Sequence, residues 1–230
     1  MAVVNEKMWV SDIVKEIPKS ADIFREKRID YCCGGRISLA EAVDARGLDL
    51  EEVLKEISGI DQHEGSGIDM RYLDEAAIIT FIQNRYHREL LNELSALTPY
   101  ITKVARKHGP NEPHLVRLET LYKTLKNEMV AHTSEEDRNV FPLINRFMQN
   151  PTSALVETVK PHVSALESEH EVVGDILKEM RDITDDFTPR GSACGTYQLV
   201  YARLEKLEKD TFDHIHLENN VLFERVRSVI

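Results

Sequence analysis

Residues 131–142 read AHTSEEDRNVFP, and residues 213–223 read DHIHLENNVLF. Each stretch holds His-x3-Glu: His132 with Glu136, and His214 with Glu218. Each pair is followed by a similar apolar phrase, NVFP or NVLF. A spacing of four puts both side chains on one face of an α-helix. That face is apolar. Leu118, Leu121, Leu125 and Met129 lead to His132 at helical steps, and Val140, Leu143 and Phe147 continue beyond Glu136. The neighbouring Glu135 leads instead to Asn139 and belongs to another face. In the second stretch Leu204, Leu207 and Thr211 lead to His214, and Val221 and Leu222 follow Glu218. His216 lies about 200° round the helix from His214 and is expected to face out.

Two other helical segments each bring one histidine to an apolar stripe. His87 precedes Leu90, Leu91 and Leu94. His170 lies among Val159, Val163, Leu166, Val173 and Leu177. Four amphipathic segments follow, over about 72–96 (extended or kinked through Pro99 to His108), 114–148, 152–183 and 196–228. With short connections they predict an all-α chain built on an up-down four-helix bundle.

A buried carboxylate costs several kcal/mol unless it is paired or binds a metal. The stripes that carry Glu136 and Glu218 have no Lys or Arg, so a cation is required. Four imidazoles and two carboxylates suit two metal ions. An octahedral pair sharing an oxo or hydroxo bridge then keeps about one open position per metal. Nitrogen and oxygen donors without thiolate favour iron or manganese over structural zinc. Glu128 and Asp210 lie four residues before His132 and His214 and are candidates to hydrogen-bond the ligand imidazoles. Glu169 reads as surface. His108 ends a helix, where it suits the helix dipole, and His63, His114, His162 and His216 read as structural or exposed.

Upstream, SLAE (Ser38 to Glu41) fits a capping box, and Asp49 with Glu52 fits a weaker version. Residues 1–57 are therefore expected to form a small helical domain. The glycine-bearing stretch within 58–70 is the linker candidate, and 71–230 is the bundle. The net charge is −11, from 40 acidic against 29 basic residues. That disfavours nucleic acid and an anionic membrane surface as partners. No apolar run approaches the roughly 20 residues of a membrane span. The opening residues lack a basic start followed by an apolar run, so a cytoplasmic location is expected. Three cysteines, two of them adjacent, make no disulfide framework.

The adjacent pair stands in DYCCGG, residues 30–35. Cys32 and Cys33 are either a reactive thiol pair, opened to approach by Gly34 and Gly35, or two small buried residues. Cys194, in the loop before the last helix, is expected to be structural or a third exchange partner.

The phrases DYCCGG, RYH (85–87), AHTSEED (132–137 with Ala131), ESEHE (167–171), ACGTY (193–197) and HLENNVLF (216–223) resemble those of the iron–sulfur cluster repair di-iron proteins, also called the repair of iron centres family. The resemblance covers nearly the whole chain. It implies a small N-terminal domain joined to a hemerythrin-like four-helix bundle. It implies a non-haem di-iron centre of two iron ions on His87, His132, Glu136, His170, His214 and Glu218, and it places the family's paired cysteines on Cys32 and Cys33. It also implies action on proteins whose iron–sulfur clusters have been damaged by nitric oxide or oxidants. Two chemistries are open at this point, iron delivery from a labile centre and reductive handling of nitric oxide. A homodimer is compatible with the sequence. An oxygen-carrying or sensing hemerythrin normally has a further histidine four residues from its partner on the third helix, where this chain has Gly174 and Leu166. A metal-free helical interaction module is the remaining class.

Overall fold

The computed structural model describes residues 4–60, 69–191 and 193–230. Residues 61–68 of the expected linker, His63 among them, lie outside the described residues. The chain is all-α. Among the described residues the only extended pairing is an isolated antiparallel bridge between Trp9 and Ser38. Two compact units form, one from Met1–Ile78 with Phe212–Ile230, the other from Ile79–Thr211.

The first unit begins with four short helices: α1 (Val10–Glu16), α2 (Ser20–Glu26), α3 (Leu39–Asp44) and α4 (Leu50–Ser58). Their starts are written locally. Ser38 and Glu41 close the expected capping box on α3, and the Asp49 carboxylate accepts from the backbone N–H groups of Glu51 and Glu52 at the head of α4. Short helices are marginal alone, and these bury Val10, Ile13, Phe24, Leu39, Val43, Val53 and Ile57. The chain's C-terminal segment supplies Leu222, Phe223 and Val226 to the same unit. Arg225 holds residues 70–73 there, donating to the carbonyls of Met70 (2.7 Å) and Leu73.

DYCCGG is fastened to the same C-terminal segment. The Tyr31 hydroxyl donates to Asp213 (2.8 Å), and the Tyr31 carbonyl accepts from Nδ1 of His216 (3.0 Å). The Cys32 carbonyl accepts from the Asn220 amide (2.9 Å). His216 is therefore buried, not outward-facing as the helical wheel of the bundle suggests. The helix it lies on has a second covered face, and a search for one apolar stripe does not register it. A glycine at position 35 is a packing requirement. An added Cβ would stand 2.6 Å from the Tyr31 carbonyl oxygen and 3.0 Å from Ser11 Cβ.

Four long helical arms follow. The first is α5 (Glu75–Ile82), a π-helical turn at Gln83–His87, and α6 (Arg88–His108). The second is α7 (His114–Glu135), a π turn at Glu136–Val140, and α8 (Phe141–Gln149). The third is α9 (Ser153–Ile183), unbroken through Pro161. The fourth is α10 (Gly195–Leu217), a π turn at Glu218–Leu222, and α11 (Phe223–Val229). The first arm continues through Pro99.

In the second unit the arms bury Leu94, Leu97, Ile101, Leu118, Leu125, Met129, Ile144, Phe147, Val159, Leu166, Val173, Leu177, Val200 and Leu204. Apolar burial of that kind, about 1.5–3 kcal/mol per large side chain, drives the association. Polar clamps set which arm lies beside which. Tyr122 on α7 donates to the Leu94 carbonyl on α6 (2.7 Å). Arg203 on α10 grips Glu93 on α6 through two hydrogen bonds, 2.7 and 2.8 Å. Arg181 on α9 grips Glu208 on α10, where the carboxylate is fully buried.

Candidate metal centre

The three π turns coincide with candidate ligands. His87 is the last residue of the first, and Glu136 and Glu218 open the other two. A π turn adds one residue to a helical turn and re-aims the side chains that follow.

In the second unit, four of the six predicted ligands come together. His87, His132, Glu136 and His170 are all buried. His87 Nε2 stands 3.4 Å and His132 Nε2 3.2 Å from the same Glu136 oxygen, Oε2. His170 Nε2 stands 2.9 Å from His132 Nε2. The outer nitrogens fix the tautomers. His87 Nδ1 is 2.8 Å from Asp137 Oδ1, and His132 Nδ1 is 2.7 Å from Glu169 Oε2. A carboxylate can only accept, so in both rings Nδ1 carries the hydrogen and Nε2 is left to present its lone pair inward. Gln83 donates to Asp137 (3.1 Å) and steadies it. The Phe141 ring stacks on His87, 5.6 Å between centroids and 14° between planes, and sets the imidazole plane.

Glu136 is 0 % exposed, and neither of its carboxylate oxygens has a hydrogen-bond donor. Buried charge of this kind is costly unless a cation joins it. Imidazole lone pairs facing a carboxylate across 3.2–3.4 Å are themselves the donor set of a metal site.

In the first unit, His214 and Glu218 are buried and 2.9 Å apart, Nε2 to Oε1, as the spacing of four predicts. These buried His and Glu clusters suit a two-metal site.

The carboxylates that orient His87 and His132 are Asp137 and Glu169. Glu128 is exposed, and Asp210 pairs with Arg85 and Lys206. Asp137 and Glu169 serve imidazoles on other helices, which no spacing along one helix reveals. Glu169 is half exposed, as a surface reading expects, and still reaches His132.

The two thiols of DYCCGG differ. Cys32 is buried, Cys33 is partly exposed, and their sulfurs are 3.5 Å apart. Asp30 Oδ1 accepts from the backbone N–H groups of Cys32, Cys33 and Gly34, folding the loop around one oxygen. The hydrogen bond with Cys33, then burial and the Asp30 carboxylate, push the Cys32 thiol well up.

Fold and site define the class. Residues 80–226 match the family model of the hemerythrin HHE cation-binding domain. Residues 6–61 match the ScdA_N model, a domain of unknown function (DUF542). The chain is 40% identical to the iron–sulfur cluster repair protein ScdA of Staphylococcus haemolyticus, over 97% of this chain and 99% of the relative. It is 41% identical to ScdA of Staphylococcus epidermidis, over 94% and 96%. It is 30% identical to the iron–sulfur cluster repair protein YtfE of Yersinia pseudotuberculosis, over 91% of each. The chain belongs to the ScdA/YtfE family of iron–sulfur cluster repair proteins. Among the described residues no helix is long and apolar enough to cross a membrane.

Proposed function

We propose that this protein repairs iron–sulfur clusters damaged by nitrosative or oxidative stress by supplying iron from a labile non-haem di-iron centre. The ligands are His87, His132, Glu136, His170, His214 and Glu218. The observation that carries the reading is Glu136, a fully buried carboxylate that receives no hydrogen bond and is faced by two imidazole nitrogens. The relatives' names, at 40% identity over almost the whole chain, supply the client class, proteins with damaged iron–sulfur clusters.

The chain's own residues have defined tasks. Asp137 and Glu169 hold Nδ1–H of His87 and His132, so each Nε2 is offered inward without reorganisation. Glu136 is 0 % exposed, so bulk water does not reach the carboxylate. The bound ions supply exchangeable iron, which in this reading is cargo. Ligands that are nitrogen and oxygen, with no thiolate, release ferrous iron more readily than a thiolate cage does. Residues 1–57 form the thiol-bearing domain, 58–70 the linker and 71–230 the bundle. Cys32 and Cys33 take part in iron transfer or redox exchange, with Cys33 the accessible member.

Iron content and visible absorption of the purified protein, before and after incubation with a damaged-cluster acceptor, test the reading. The expected result is about two irons per chain and loss of iron alongside recovery of the acceptor. Iron that stays bound while nitric oxide is consumed would replace delivery with reductive chemistry. No iron after anaerobic reconstitution would remove the di-iron centre altogether.

A further inference from the structure

A second chemical cluster involves none of the metal-centre residues. Cys194 immediately precedes α10, and its carbonyl accepts the first helical bond, from the Gln198 N–H (3.0 Å). Its sulfur is partly exposed and lies 3.3 Å from Nε2 of His108, the last residue of α6. The Tyr197 ring packs against the His108 imidazole, 5.5 Å between centroids, and its hydroxyl is anchored on Glu112 (2.9 Å). The sulfur therefore meets an imidazole that is held in place, at the open end of a 23-residue helix. A nucleophile, a base within reach and a third group that orients the base make up the arrangement of an activated thiol.

We propose that Cys194 is a reactive thiol that exchanges with small-molecule disulfides, with His108 as its proton acceptor. Nε2 of His108 takes the thiol proton. The thiolate attacks one sulfur of the disulfide, a new S–S bond forms to Cys194, and the original S–S bond breaks. The departing thiolate takes the proton back from the imidazolium. Cys194 is oxidised to a mixed disulfide and one small thiol is the reduced product.

The electrostatics agree with the geometry. The Tyr197 backbone N–H holds the Cys194 thiol below its ordinary range against burial, the next largest influence, with smaller help from the Thr196 N–H and the Lys107 ammonium. Cys32 is shifted the opposite way.

The test uses the full-length protein and the uncharged probe 2-hydroxyethyl disulfide at limiting amounts, with peptide mass mapping at intervals from about pH 5 to pH 9. The expected adduct appears first on Cys194, with a rate midpoint below the ordinary thiol value of ~8.5. His108→Gln should lower the rate at neutral pH by roughly tenfold and move the midpoint up. Cys194→Ser should abolish the fast adduct and leave bound iron unchanged. First reaction at Cys33, or an ordinary thiol profile at Cys194 in the unaltered protein, would overturn the proposal without touching the di-iron reading.

Discussion

Glu136 and Glu208 are both 0 % exposed carboxylates of the second unit, and the same substitution should have opposite effects at the two positions. Glu208 receives Arg181 through Nε at 2.7 and 3.0 Å and again through Nη2. Glu208→Gln breaks a buried ion pair and leaves the guanidinium under-compensated, at a cost of about 3–5 kcal/mol. At about 2–4 °C per kcal/mol for a chain of this size, the melting temperature should fall by about 6–20 °C. Glu136 receives no hydrogen bond, and the imidazole nitrogens at 3.2 and 3.4 Å turn lone pairs toward it, so without metal no hydrogen bond offsets its desolvation. In metal-free protein, Glu136→Gln removes the charge. It leaves a buried amide that still costs about 1–3 kcal/mol for its unmade bonds. The net should favour the variant by about 1–2 kcal/mol, a rise of roughly 2–8 °C. With iron the order reverses. At a hundredfold excess over its dissociation constant a bound metal stabilises the unaltered protein by about 2.7 kcal/mol, and the variant should lose most of that. Thermal unfolding of metal-free and iron-loaded protein, monitored by circular dichroism, measures all four states. If metal-free Glu136→Gln melts as far below the unaltered protein as Glu208→Gln does, protein groups already compensate Glu136, and the argument for a cation fails.

Asp137→Asn and Glu169→Gln should each weaken iron binding about 10–100-fold in a competitive chelator titration, with two irons still bound at saturation. Asn220→Ala should cost about 1–2 kcal/mol and speed amide exchange across residues 32–35, because the Cys32 carbonyl loses its 2.9 Å partner; unchanged exchange would mean that the loop is held by other contacts. Burial, and secondarily the Arg190 charge, lower the His114 pKa. The unfolded chain therefore binds that proton more readily. The stability His114 contributes is fully present above about pH 6.5 and drains as pH falls below it. His114→Gln should flatten the acid limb of a stability–pH curve, and an unaltered slope would rule out this residue as its source.

The bundle and its inward-facing donors are legible because helical periodicity is a local property. Leu118 through Phe147 mark a stripe at steps of three and four. His132 and Glu136 fall on it, His214 and Glu218 fall on the corresponding stripe of the last arm, and the structure buries all four. The capping box at Ser38 and Glu41 is equally local and forms as written. The π turns are not legible in the same way, since a one-residue insertion in a helical turn leaves the apolar pattern on either side nearly unchanged.

The sequence specifies which residue types share a face: four arms, the caps of two short helices, and the histidines and carboxylates on the buried stripes. Those follow from backbone geometry within a few residues. Tertiary structure alone decided the pairings across elements. It set Asp137 on His87 and Glu169 on His132, buried His216 beneath the Tyr31 carbonyl, and brought His108 to Cys194 across 86 positions of sequence. A hydrogen bond between helices depends on their rotation and offset, which are set by how all the apolar surfaces interlock. No single segment encodes that angle.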